Sequence, residues 1–213
     1  MQNNTSKTIK FFFNRFKHGM ILYTIRNLLG KFGFDVRPFY TIVENIGADC
    51  TFDINADYGD FKIKKLQKDE IKKALALTRI KYDLDKVLND IAGGHICLGL
   101  FKDDTLLSYM FVDFGPTITY TSYSIRLEEK EAYALNMYTF EQHRGKNYSV
   151  ILRKRSGAYL NDIGILRLYS IVSYFNRPSL NVHAKIGAKR KSLTIYINLL
   201  GVLRRLYSFK ISS

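Results

Sequence analysis

A central run of extended segments, separated by turn signals, most constrains the fold of this 213-residue chain. Residues 95–101 and 106–114 are rich in apolar and β-branched side chains, and Lys102-Asp103-Asp104-Thr105 between them predicts a hairpin turn. Two further strands are predicted over 117–125 and 132–140. Strands joined by short turns pair antiparallel, so this region predicts a mostly antiparallel sheet.

Helical and extended patterns flank this run on both sides. Before it come a strand over 36–46, an alternating segment over 61–66, a helix capped by Asp69, and a helix over 84–91 that Gly93-Gly94 closes. After it come a helix over 150–159, a strand over 165–172, a helix over 178–186, and strands over 193–199 and 202–209. This order predicts an α+β fold with a mixed, mostly antiparallel sheet flanked by helices.

Charge is distributed unevenly along the chain, whose net charge is +14. Every acid lies between Asp35 and Asp162, so both ends are basic. Residues 7–32 combine cations with bulky apolar side chains at helical spacing, which predicts a basic amphipathic helix. We divide the chain into an arm (1–34) and a domain (35–213). The arm is expected on an anionic membrane surface, with packing on the domain's own core as the alternative.

The two cysteines, Cys50 and Cys97, lie far apart and form no CxxC pair. This spacing argues against a zinc site or a disulfide framework, and we expect no metal. A reducing, cytoplasmic setting fits, and a small buried side chain is the favoured interpretation of each thiol.

A strand, a basic turn and a helix start follow one another over residues 138–149. The first backbone N–H groups of a helix have no partner within it, and the helix dipole adds partial positive charge. Arg144 and Lys146 add cations beside Gly145. This arrangement predicts a site for a phosphate or pyrophosphate group.

These residues resemble the pyrophosphate loop of the GNAT superfamily of N-acetyltransferases, which reads Arg/Gln-x-x-Gly-x-Gly/Ala. Arg144-Gly145-Lys146-Asn147-Tyr148-Ser149 stands in that place, with Asn147 and Ser149 where the family has glycine. A second stretch, 176–188, is similar to the family's last helix, Asn-x-x-Ser/Ala-x-x-x-Tyr-x-Lys-x-Gly-Phe. Asn176, Ser179, Lys185 and Gly187 fall in register with it. The resemblance covers about residues 61–200.

The resemblance implies an acetyl-CoA-dependent N-acetyltransferase that moves the acetyl group directly to an amine. The pyrophosphate of acetyl-CoA is then expected on the loop of residues 144–149, with Asn176 and Ser179 along the pantetheine arm. Backbone N–H groups of Met137, Tyr138 and Thr139 are expected to polarise the thioester carbonyl.

Two side chains are candidates for proton transfer. His183 holds the position where many relatives have a Tyr that protonates the leaving thiolate, and imidazole titrates in a suitable range. Glu131, at the start of the strand before the loop, is the predicted base, with Glu128 and Glu129 as rivals. The alternatives are a core or surface histidine and a solvated acidic turn.

The tail over 189–201 is loosely similar to a bacterial group that modifies surface-glycan precursors. With the basic arm, this predicts an amino-sugar acceptor, a small molecule or lipid-linked, met at the inner face of the membrane. One alternative is a long-chain N-acyltransferase using acyl-CoA or acyl-carrier protein. Another is a non-catalytic basic module that binds membrane or nucleic acid, although no nucleic-acid signature is present and no such partner is expected.

Overall fold

The computed structural model describes residues 21–47, 60–120 and 123–211, so residues 7–20 of the predicted arm and Cys50 lie outside it. The described helices are α1 (Ile21–Lys31), α2 (Lys68–Ala76), α3 (Leu84–Ala92), α4 (Tyr148–Asp162) and α5 (Arg177–Lys185), with a 3-10 helix at Glu141–His143. The described strands are β1 (Phe34–Asn45), β2 (Lys62–Lys65), β3 (Ile96–Lys102), β4 (Thr105–Asp113), β5 (Thr117–Tyr120), β6 (Tyr123–Arg126), β7 (Glu131–Thr139), β8 (Arg167–Ser173), β9 (Lys189–Leu199) and β10 (Leu203–Lys210).

The described residues form two compact units. The central unit comprises residues 43–47, 60–119 and 124–170. The terminal unit comprises residues 21–42, 120, 123 and 171–211. Strands β1 and β8 each have residues in both units.

Five strands of the central unit lie in the order β8-β7-β4-β3-β2. The β2–β3, β3–β4 and β4–β7 pairs are antiparallel. Strands β7 and β8 instead pair parallel, from Glu131↔Arg167 to Tyr133↔Tyr169. The predicted class, a mixed and mostly antiparallel sheet with helices, is therefore confirmed.

Strand β3 shows why this sheet is covered on both faces. Its residues are buried as far as Phe101, and they alternate between two apolar clusters because side chains of a strand point to opposite faces. Leu98 and Leu100 pack in one cluster with side chains of α4, including Leu152. Cys97 and Phe101 pack in the other with side chains of α2.

The start of α2 corrects one predicted cap. The helix begins at Lys68 with Gln67 as its N-cap, so Asp69 lies in the first turn instead of capping it. Glu70 supplies the reason, because its Oε2 accepts a hydrogen bond from the Gln67 N–H at 2.7 Å. Gly93 ends α3 as predicted.

The single strand predicted over 117–125 is wrong. The segment forms β5 and β6, which pair with each other as a separate two-stranded sheet. The hydroxyls of Thr119 and Ser124 lie 3.1 Å apart across that pair. Between the two strands the sequence has no Gly, Pro, Asn or Asp, and Ser122 is the one residue of a type common in turns.

The terminal unit contains strands in the order β10-β9-β1-β8. Its core gathers Tyr40, Ile42 and Val172, with Leu180 of α5 and Leu193 of β9 packed against them. Strands β9 and β10 form a long antiparallel hairpin. The predicted strands at this end of the chain are confirmed.

Helix α1 accounts for residues 21–31 of the predicted arm and carries Arg26 and Lys31 but no acid. Leu28 and Leu29 on it are about half exposed. None of the helices in the described part of the chain is both long and apolar enough to cross a membrane.

A buried ion pair joins β1 to α4 inside the central unit. Arg153 Nη2 lies 2.6 Å from Glu44 Oε2, and the two side chains are only 2% and 1% exposed. Arg153 Nε donates to the same oxygen at 3.1 Å. Burial raises the pKa of Glu44, and the charge of Arg153 opposes that shift. Each charge therefore depends on the other to remain in the core.

Removing the cation should leave an uncompensated buried carboxylate. We expect Arg153→Met to lower the free energy of unfolding by about 3–5 kcal/mol near pH 7. Without Arg153, burial acts unopposed and holds the folded-state pKa of Glu44 above its unfolded value. A carboxyl group with a raised folded-state pKa favours the folded protein below its unfolded pKa, and this stabilisation is lost as the pH rises. The difference in unfolding free energy between Arg153→Met and the wild type should therefore shrink as the pH falls towards about 4.

Urea unfolding of both proteins across this pH range measures the effect. The matched control is Arg79→Met, which breaks the exposed 2.7 Å pair with Glu141 and should cost less than about 1 kcal/mol. Equal losses of unfolding free energy in Arg153→Met and Arg79→Met would contradict the role given to the buried pair. So would a loss in Arg153→Met that does not change with pH.

Candidate cofactor-binding site

Strand β7 contains a bulge before it reaches the predicted loop. Its register with β4 shifts between the pairs Tyr109↔Tyr138 and Phe111↔Leu135. Two residues of β7, Asn136 and Met137, therefore lie opposite the single residue Met110 of β4. Asn136 has a φ of 51°, in the left-handed region that Asn tolerates best among non-glycine residues. A bulge interrupts the regular ladder and turns backbone groups away from the neighbouring strand.

The other edge of β7 also leaves its ladder early. The described parallel pairs with β8 end at Tyr133↔Tyr169, and none reaches the segment 135–139. Backbone N–H groups near Met137 therefore lie beyond the parallel ladder and beside the bulge. This is the segment from which carbonyl-polarising donors were predicted.

The turn from β7 to α4 uses two positive φ angles. Gly145 has a φ of 82°, and Asn147, the N-cap of α4, has a φ of 57°. The Asn147 carbonyl accepts hydrogen bonds from the N–H groups of Val150 and Ile151 at 2.9 and 3.1 Å. Asn147, where the resembled loop has a glycine, thus adopts a left-handed backbone that Asn tolerates best among non-glycine residues.

Arg144 is held at the end of β7 by three contacts. Its Nε donates to the Thr139 carbonyl at 3.1 Å, and its guanidinium lies 5.3 Å from the Tyr138 ring centroid. Its Nη1 also lies 3.5 Å from Glu141 Oε1. The side chain is half exposed, so its charge faces solvent from a fixed position.

The first turn of α4 contains no acid, and Lys146 before it is exposed. Its helix-start N–H groups, its dipole and the two cations are the features that bind phosphate oxygens. A Cβ at Gly145 would meet nothing within 4 Å, which leaves this turn open to an approaching group. The described loop therefore fits an anionic ligand such as a pyrophosphate.

Glu131 begins β7, where it is 5% exposed. Its Oε1 lies 2.7 Å from Arg167 Nε and accepts from the Tyr169 hydroxyl at 3.2 Å. Its Oε2 accepts from the Glu128 N–H at 2.9 Å. Glu128 and Glu129 are exposed, and Glu128 also binds Arg167, at 2.9 Å. Glu131 is therefore the buried member of the acidic turn, and it helps to join β7 to β8.

The remaining predicted residues belong to the terminal unit. Asn176 is the N-cap of α5, and its Oδ1 accepts from the Ser179 N–H at 3.3 Å. His183 is 4% exposed, with Nδ1 2.8 Å from the Ser179 carbonyl oxygen. A carbonyl oxygen only accepts, so this contact places a proton on Nδ1.

Buried thiol and phenol groups of the central unit are poor nucleophiles. Cys97 is 1% exposed, and burial raises the pKa of its thiol. Burial likewise raises the pKa values of Tyr109 and Tyr82. Among the described residues, no group of three or more His, Cys, Asp or Glu side chains could hold a metal ion.

A groove of about 330 Å³ opens beside the segment that leads into the loop. Its apolar wall includes Leu66, Leu77, Phe101 and Phe140, and Lys73 lies at the same groove. No sequence pattern marks this groove, because its residues come from three segments far apart in the chain: residues 66–77, the β3–β4 hairpin and residues 140–143.

The structure thus brings Met137, Tyr138 and Thr139 together with the loop of residues 144–149 inside one unit. Sequence reasoning missed the bulge at Asn136, although an Asn within a strand pattern was an available signal. It also missed the contacts of Glu131 with Arg167 and Tyr169, which lie far from it in sequence.

No protein-family model matches the chain, and no curated protein matches it. Several solved structures do resemble it. A functionally unknown conserved protein from Staphylococcus epidermidis has a TM-score of 0.55 at 10% identity, covering 82% of this chain and 66% of its own. A Drosophila protein has a TM-score of 0.53 at 13% identity, covering 84% of this chain and 57% of its own.

A third similar structure is described as a GCN5-related glucosamine N-acetyltransferase region of a fungal multi-domain GH3 β-N-acetylglucosaminidase. Its TM-score is 0.52 at 10% identity, covering 88% of this chain and 23% of the fungal protein. This chain therefore spans less than two thirds of each of these proteins. At such identities the similarity concerns the fold alone. The chain has the fold of the GCN5-related N-acetyltransferases.

Proposed function

We propose that this protein is an acetyl-CoA-dependent N-acetyltransferase. The observation that carries the proposal is the loop of residues 144–149, in which Gly145 and Asn147 adopt positive φ angles at the start of α4. It follows a bulged strand in a fold that acetyltransferases use. Acetyl-CoA would supply the reactive thioester, and its pyrophosphate would bind this loop.

The proposed reaction uses backbone N–H donors to stabilise charge and two side chains to transfer protons. An N–H group from Met137, Tyr138 or Thr139 stabilises negative charge on the carbonyl oxygen. Glu131 accepts a proton from the ammonium group of the acceptor, directly or through water, and the free amine then attacks the carbonyl carbon. His183 donates a proton to the departing sulfur, and the nitrogen releases its second proton to solvent. The C–N bond forms as the C–S bond breaks, with no covalent enzyme intermediate. Asn176 and Ser179 are proposed contacts of the pantetheine arm.

The proposed acceptor is the amine of an amino sugar, carried on a nucleotide or a lipid. Two observations support it. The fungal region with the same fold is described as a glucosamine N-acetyltransferase, so this fold accommodates an amino-sugar acceptor. The basic terminal unit suits an acceptor that bears phosphate groups. A cytoplasmic site at the inner face of the membrane is proposed with it.

Placing a negative charge at the helix start should weaken cofactor binding without unfolding the protein. Asn147→Asp keeps the size of the side chain, tolerates the left-handed backbone and suits a helix N-terminus. It repels phosphate oxygens, so we expect acetyl-CoA affinity to fall about tenfold or more. Isothermal titration calorimetry measures the change.

The matched control is Asn89→Asp, which adds the same charge at an exposed position of α3. It should bind acetyl-CoA as the wild type does. Absence of binding by the folded wild-type protein, to acetyl-CoA and to longer acyl-CoA alike, would overturn the proposal. A basic binding module without catalysis would then take its place.

The proton-transfer roles predict losses in turnover with little change in cofactor affinity. His183→Gln and Glu131→Gln should each lower kcat by about 10²–10⁴. His143→Gln and Glu128→Gln are matched controls, and Glu128 contacts the same arginine as Glu131. Thermal unfolding must confirm that each variant is folded. A loss confined to Glu128→Gln would move the base to that residue, and an unchanged kcat in His183→Gln would exclude the acid role.

The choice of donor and acceptor separates the proposed enzyme from its rivals. We expect turnover with acetyl-CoA and an amino-sugar nucleotide, measured as release of free thiol, to exceed turnover with peptides, polyamines or free amino acids. Preference for long-chain acyl-CoA or acyl-carrier protein would instead identify an N-acyltransferase. Equal rates with every amine would contradict the amino-sugar assignment.

A further inference from the structure

The β9–β10 hairpin exposes an apolar face. Residues paired across an antiparallel ladder point to the same side, and Leu203↔Leu199, Arg205↔Ile197 and Tyr207↔Ile195 are such pairs. The face therefore comprises Leu193, Ile195, Ile197, Leu199, Leu203, Arg205, Tyr207 and Phe209, which we call the hairpin face. The opposite side of β9 is buried at Thr194 and Tyr196. On β9 the hairpin face is thus the half-buried side, and its Leu193 packs against the core of the terminal unit. On β10 every residue is exposed, and Phe209 on the hairpin face is 55% exposed.

The hairpin tip is more exposed still. Leu200 and Val202 are 67% and 91% exposed. The Val202 N–H closes the turn on the Leu199 carbonyl at 3.0 Å, and both Leu200 and Gly201 have positive φ, at 53° and 75°. Asn or Gly usually occupies the first of these positions, where Leu is strained. Packing within the terminal unit does not account for apolar side chains at this tip.

The tip continues into a second apolar surface. The Leu200 N–H donates to the Gly33 carbonyl at 2.7 Å, directly after α1. Phe32 beside it is 66% exposed, and Leu28 on α1 is 55% exposed. Contiguous exposed apolar surface of this kind marks a contact with another protein or with a membrane.

The surrounding charge distinguishes these partners. The described residues of the terminal unit include eleven Lys and Arg but a single acid, Asp35. Asp35 is itself bound by Arg37, whose Nη2 lies 2.6 Å away. Arg204 and Arg205 lie within the hairpin, and Lys210 lies at its end. Arg205 therefore lies on the hairpin face itself, and Arg204 and Lys210 lie on the opposite side of the same strand.

We propose that the hairpin face and tip bind the surface of an anionic lipid bilayer. Anionic lipid headgroups neutralise the cations, and the membrane interface buries the apolar side chains of the tip. A bilayer therefore binds both the charged and the apolar residues of this surface. A second copy bound face to face would place the same cations against each other. Nucleic acid would pair with the cations but leave the apolar side chains in water.

This proposal stands independently of the proposed catalysis, because it uses none of the residues assigned to the cofactor. It extends the expectation for the arm, because it adds the β9–β10 hairpin to an apolar surface that continues through Phe32 and Leu28 of the arm.

The absence of tryptophan from the sequence allows a direct test. Val202→Trp places a single reporter at the tip, and Leu77→Trp places one at a matched position, 73% exposed, in the central unit. We expect the emission of Val202→Trp to shift to the blue with vesicles of phosphatidylcholine and phosphatidylglycerol, and not with phosphatidylcholine alone. The emission of Leu77→Trp should stay unchanged.

Charge reversal tests the cations separately. Arg204→Glu/Arg205→Glu should lower vesicle partitioning by about tenfold or more, whereas Lys68→Glu/Lys81→Glu, at exposed positions of the central unit, should have little effect. Circular dichroism checks that both double variants are folded. An unchanged Val202→Trp spectrum with anionic vesicles would overturn the proposal. A blue shift that grows with protein concentration alone would indicate self-association, and one produced only by nucleic acid would indicate that partner instead.

Discussion

The parallel pairing of β7 with β8 is the constraint on which the rest of the central unit depends. Two adjacent strands that run in the same direction cannot be joined by a tight turn, so the chain must cross back through α4. That crossover places the start of α4 directly after the end of β7. The loop of residues 144–149 lies at this junction because the topology requires a helix start there, and its unpaired N–H groups follow from the same requirement.

Two asparagines adopt the left-handed backbone conformations that this arrangement contains. Asn136 forms the bulge in β7 and Asn147 begins α4, and both have positive φ angles. Strained backbone of this kind persists where the surrounding structure fixes it, and such positions cluster at functional sites. Both lie within twelve residues of each other, on either side of the Arg144 contact with Thr139. Two of the described non-glycine residues with positive φ therefore flank the proposed cofactor site, and the others are Asp103, Asp104, Lys130 and Leu200.

Acids and cations are used differently in the two units. In the central unit, acids are bound internally: Glu44 to Arg153, Glu131 to Arg167, and Glu141 to Arg79. The described part of the terminal unit has eleven Lys and Arg but one acid, so its cations greatly outnumber its own carboxylates. Internal pairs stabilise a fold, whereas an excess of one sign over a surface attracts an oppositely charged partner. The same chain thus separates charges that hold its core from charges that face outward.

The sequence by itself determined the class of fold, the loop of residues 144–149 and the asymmetry of charge, because periodicity, turn chemistry and composition are local properties. It did not reveal the division of residues 117–125 into β5 and β6, where Ser122 is the one residue of a type common in turns. Only the tertiary structure decided that Glu44 is buried against Arg153, that Glu131 is held by Arg167 and Tyr169, and that β9 and β10 share an open apolar face. Those facts depend on which distant segments meet, and pairing between residues far apart in the chain leaves no periodic signal in either one.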